Sequence, residues 1–138
     1  MLGLGAAVLA GAIAARMRMR RRGTGMPAPP PPVAASPSAQ QRRAAAKALA
    51  RLLDQGAWLM DCCMENNDHP PVHQAEDWCD AVADELGHGF GPELARRFID
   101  APPGRGPAPD ASPERQRLWL RIQGRCDWLA GFTAQQAP

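Results

Sequence analysis

The 138-residue chain has no tyrosine, three phenylalanines and a single lysine, Lys47, among its 16 basic residues. An arginine-, alanine-, proline- and glycine-heavy, lysine-poor chain of this kind reflects base composition of the gene more than function. No stretch alternates apolar and polar residues at period two over a useful length, so strands are not expected. No glycine-rich phosphate loop, nucleophile elbow or ordered Ser/His/Asp set is present. No C-x-x-C pair occurs, which excludes the standard zinc modules. These absences point away from catalysis and from a small-molecule substrate.

Charge is missing in blocks. Residues 1–47 contain eight basic residues and no acid, whereas residues 54–93 contain ten acids and no lysine or arginine. Residues 94–138 return to seven arginines against four acids. The basic block suits anionic lipid headgroups, and the acidic block would be repelled from them. The other reading is that the blocks neutralise one another within one folded domain.

What is present begins with an uncharged run, Met1 to Ala15, followed by Arg16, Arg18, Arg20, Arg21 and Arg22. An apolar segment closed by arginines reads as a membrane anchor whose C-terminal side stays in the cytoplasm, with those arginines at the lipid interface. The run is short: 15 helical residues cover about 22 Å of a hydrocarbon core about 30 Å thick. It spans only if Met17 and Met19 join it and the first arginines snorkel. A cleaved signal peptide is the alternative, but its positive charge should precede the apolar core, and none does. A soluble N-terminal extension is the third reading. The arginine run also suits nucleic-acid phosphates, yet it lacks interleaved aromatics and abuts an apolar segment, so the membrane ranks above nucleic acid.

Residues 23–38, with Pro27 and Pro29 to Pro32, form a semi-rigid linker. A first helix is expected from an N-cap at Ser36 or Ser38 to about Glu65, with Leu49, Leu53, Gly56, Met60 and Cys63 spaced 4-3-4-3. Its opening turns, Gln40 to Lys47, read as solvated. A break at Asn66-Asn67-Asp68-His69 precedes Pro70 and Pro71, which start a second helix. That helix buries Val72, Ala75, Cys79, Val82 and Leu86, carries Glu76, Asp77, Asp80, Asp84 and Glu85 outside, and is expected to end at Gly87. Pro92 opens a short third helix through Leu94, Phe98 and Ile99. After a Pro/Gly loop, Ser112-Pro113-Glu114 caps a fourth, which buries Leu118, Ile122, Cys126 and Leu129 and is expected to end near Gly131. The expected fold is therefore all-α: a small bundle of three to four helices over residues 39–132. A short N-terminal apolar helix (residues 1–22) and the proline-rich linker precede it, and a flexible tail, residues 133–138, follows.

Two sets of side chains are candidates for function. Trp58, Trp119 and Trp128 fall near the edges of their stripes, where an exposed indole marks a protein partner. Cys62, Cys63, His69, His73 and Cys79 surround the first interhelical turn and contain zinc-type ligands, although their spacing fits no standard module. Cysteines on helix stripes are more simply small buried hydrophobes. His73 is expected to pair with Asp77 one turn on. Glu85-Leu86-Gly87-His88 matches half of a di-iron motif, but the expected helix end at Gly87 breaks it. The reading is of a membrane-anchored docking module or accessory subunit with lipid and another protein as partners and no cofactor. The alternatives are a soluble metal-binding or redox-active domain using zinc, or a basic-tailed nucleic-acid or virion-associated protein.

Overall fold

A computed structural model describes residues 29–30, 35–65 and 69–137. The N-terminal apolar run, its arginines and most of the proline-rich linker lie outside the described residues, as does Asn66-Asn67-Asp68. Among the described residues the chain is all-helical, with α1 Ala39–Met64, α2 Val72–Phe90, α3 Pro92–Ile99 and α4 Pro113–Gln136. None of these helices is long and apolar enough to cross a membrane.

Local chemistry sets each start. The Ser38 hydroxyl accepts from the Gln41 amide while the Gln41 side chain accepts from Ser38 N, a reciprocal cap that satisfies two amides at the α1 terminus. Ser112 caps α4 through the Arg115 amide, with Pro113 in the first turn. Pro71 precedes α2, and its carbonyl accepts from Ala75.

The core follows the apolar stripes. Leu49, Leu59 and Cys63 of α1 meet Trp78, Val82 and Leu86 of α2, Phe98 of α3, and Ile122 and Leu129 of α4, all essentially without solvent exposure. Burial of each such aliphatic or aromatic side chain contributes about 1.5–3 kcal/mol. α1 runs antiparallel to both long neighbours. Toward its C-terminal end the Cys63 carbonyl accepts from Arg115, near the start of α4, and the Leu52 carbonyl accepts from the Trp78 indole at 2.6 Å. Ala45, near the start of α1, packs against Gly89, near the end of α2. Ala45 is thus buried, although the opening turns of α1 read as solvated from the sequence; the exception follows from Gly89 having no side chain to keep it out.

Two boundaries and one side-chain pairing differ from the sequence reading. α2 does not stop at Gly87 but continues to Phe90, and the turn into α3 is made by Gly91, whose φ of 109° is strained for any residue with a Cβ. Phe90 explains the extension: it packs edge-on against Phe132 at 4.9 Å, which holds the last turn down. The same contact carries α4 past Gly131 to Gln136, so residues expected as a flexible tail are helical up to that point. Glu85 and His88 consequently share one continuous helix, with His88 Nδ1 2.7 Å from the Asp84 carbonyl. His73, finally, sits 3.6 Å from Glu76 rather than pairing with Asp77, because three residues on is as near as four on a helix surface.

Candidate docking surface

The buried stripe of α1 leaves an opposite face, and that face holds the largest exposed indole. Trp58 is 56% exposed, and Met64, six residues on and about 120° round the helix, is 57% exposed. Trp119 of α4 is half-buried against the core and reaches the surface beside α1. Between Met64 and Trp119 runs an open cleft of about 440 Å³ floored by Ala57 and Met60 and walled by Pro107 and Pro109 of the α3–α4 loop; Asp61 is its charged lining residue, and Trp58 lines a different cleft, at the α1–α2 turn. The loop is held in place to form this wall. Gly104 N donates to the Leu120 carbonyl at 2.7 Å, and the Gln116 amide donates to Pro109. Of the tryptophans singled out from the sequence, Trp119 lines this cleft and Trp58 does not; Met60, Met64 and the two prolines were not read as one surface. The signal available was the four-residue spacing of the methionines; the loop's contribution has no sequence signature.

Trp128 has a different setting. It stacks on Phe132 at 5.6 Å with nearly parallel rings and meets Phe98 edge-on at 5.8 Å. It is half-buried by an aromatic cluster and borders a second cleft with Arg96 and Arg97.

The five candidate metal ligands divide. Cys63 and Cys79 are buried on their stripes. Cys62, His69 and His73 line a third cleft, of about 660 Å³, together with Trp58, Glu65 and Glu114. Among the described residues no three His, Cys, Asp or Glu side chains are placed to hold a metal ion together. All four cysteines are free thiols. Burial pushes the Cys126 thiol up to about 11, with Asp127 adding to the effect. Burial also raises Cys63 and Cys79, against the opposing guanidinium groups of Arg115 and Arg125, and partial burial with Glu65 and Asp61 raises Cys62. A protonated thiol is a poor nucleophile and a poor ligand, so these positions do not favour thiolate chemistry at neutral pH. The interface arginines Arg16, Arg18, Arg20, Arg21 and Arg22 fall outside the described residues.

Comparison with family models, curated proteins and solved structures finds no match to this chain.

Proposed function

We propose that this chain is a non-catalytic docking module, or accessory subunit of a larger assembly, held at a membrane by residues 1–22. The observation that carries the docking part is the exposed side chain of Met64 in a cleft of methionine, proline and the Trp119 indole. Isolated surface hydrophobes are ordinary, but a contiguous adaptable patch with a tryptophan at its edge is how protein partners are held. The membrane part rests on the apolar run and its five arginines. Two measurements test the reading. Deletion of residues 1–22 should move the protein from the membrane to the soluble fraction; full-length chain already soluble in low-salt lysate overturns the anchor. Met64→Glu should shrink the detergent-extracted native complex without altering the helical content; an unchanged complex overturns the docking surface.

A second reading, a metal-binding domain, is favoured only by Cys62, His69 and His73 sharing a cleft.

A further inference from the structure

The face of α1 opposite the core is sorted by charge along its length. With the turn of 100° per residue of an α-helix, Arg43, Lys47, Arg51, Asp54, Trp58, Asp61 and Glu65 all fall within about 55° of the outer pole. Every one of them is exposed. The N-terminal half of the row is purely basic and the C-terminal half purely acidic, with Trp58 near the middle. α2 and α4 both pack against the opposite stripe, through Leu49, Gly56, Leu59 and Cys63, and this face is bordered toward its C-terminal end, where Trp58 and Glu65 line a cleft with His69, His73 and Glu114.

A helix whose surface is basic at one end and acidic at the other is complementary to itself when reversed. We infer that this face is an antiparallel, two-fold interface between the α1 helices of two copies of the chain. A two-fold contact is self-complementary by construction, so each favourable pair occurs twice. With the axis passing beside residue 55, Asp61 of one copy falls midway between Lys47 and Arg51 of the other. Trp58 falls between Arg51 and Asp54 of the other copy, where a guanidinium can lie over the indole. Parallel pairing does the reverse, setting Arg43, Lys47 and Arg51 against their own counterparts. The charge row therefore selects orientation as well as partner. Pairs this exposed are individually weak and screened by salt, so the association depends on Trp58 for its apolar contact and on low ionic strength for its charge pairing. The cleft floored by Met60 and Trp119 lies to one side of the row and shares Asp61 with it, whereas Met64 is outside the row, so Met64→Glu tests the cleft separately.

The test is co-purification of the full-length chain carrying two different affinity tags, in mild detergent, with helical content checked for each variant. Wild type should capture itself at about 50 mM salt and lose most capture at about 500 mM. The triple variant Arg43→Glu, Lys47→Glu, Arg51→Glu should fail to capture itself. So should the double variant Asp54→Arg, Asp61→Arg. Mixing the two variants should restore capture, because one face is then wholly acidic and the other basic except for Glu65 at its end. Trp58→Ala should weaken capture at least about tenfold, within the range for a central tryptophan anchor. Three results overturn the inference: no self-capture by wild type at low salt, capture indifferent to both reversals, or failure of the mixed variants to recover it. Capture indifferent to reversal would assign association to the shared detergent micelle or to residues 1–22.

Discussion

Arg125 donates to the Cys79 sulfur at 2.7 Å, and its other terminal nitrogen donates to the Ile99 carbonyl at 3.1 Å. The same guanidinium lies 5.8 Å from the Phe98 ring centre. One side chain of α4 thus ties α2 and α3 together through a cysteine that the helical period identifies only as buried. Cys126, also buried, has no cation beside it among the described residues; burial raises its thiol, and the charged neighbour that adds to this is Asp127. From the stripe alone, an aspartate at either position should be equally severe. With Arg125 in place they separate. Cys79→Asp gains a charged partner and should cost within about 2 kcal/mol. Cys126→Asp leaves a buried charge uncompensated and should cost about 3–5 kcal/mol. Denaturant unfolding of the two variants checks this, and equal losses would show that Arg125 does not reach a carboxylate at position 79.

The raised thiols give stability a pH dependence of defined sign. The Cys126 thiol moves from its ordinary 9.0 to about 11 in the fold, so the folded state keeps a proton that the unfolded state releases. That contribution is complete below pH 9 and is lost as pH rises toward 11. The melting temperature should therefore fall across this window. Cys126→Ala should lower stability at neutral pH through the lost packing, yet flatten the alkaline fall. An alkaline slope identical to wild type would place the titrating group elsewhere.

Gly56 marks where α1, α2 and α4 meet. A Cβ there would stand 2.6 Å from the Cys126 sulfur and 2.6 Å from the Trp78 ring. The Trp78 ring is held by its hydrogen bond to Leu52 and cannot swing away. Gly56→Ala should thus lose about 1–3 kcal/mol by overpacking, more than the gain of up to about 1 kcal/mol in helix propensity. Stabilisation measured by chemical denaturation would mean that the three helices separate readily at this point.

Much of this architecture is legible in the residues because burial and helical period carry the same information. Leu49, Gly56 and Cys63 on one helix and Ala75, Cys79, Val82 and Leu86 on the next are read directly from 3-4 spacing, and the caps Ser38 and Ser112 from their side chains. The helix ends at Phe90 and Gln136 were not legible, because they are set by one contact between Phe90 and Phe132 across 42 residues of sequence. Gly87 and Gly131 look like terminators only until that contact exists. The cleft between Met64 and Trp119 was half legible for a related reason. A helix stripe shows that Trp58 faces outward, but no local pattern shows that Pro107 and Pro109 are laid beside Met60 and Met64. The charge row on α1 was visible as composition, while its alignment opposite the core required the helix phase.

The histidines provide the sharpest separation of the two functional readings. His73 is 94% exposed on its side chain and stands 3.6 Å from Glu76, a contact of little weight in solvent. His69 is also exposed, at the mouth of the cleft it shares with Cys62. If neither carries a metal, His69→Ala and His73→Ala should each change stability by under about 0.5 kcal/mol, as surface substitutions do. If the two histidines and Cys62 close around zinc, the metal's binding energy becomes folding energy, and each substitution should lower the melting temperature steeply. The thiol must then lose its proton against Glu65 and Asp61, both of which raise it, so zinc uptake would weaken as pH falls. Elemental analysis of the purified chain, with thermal melts of both variants with and without chelator, decides the matter. Silent substitutions and melts indifferent to chelator are expected; stoichiometric zinc lost on either substitution would make this cleft a structural metal site.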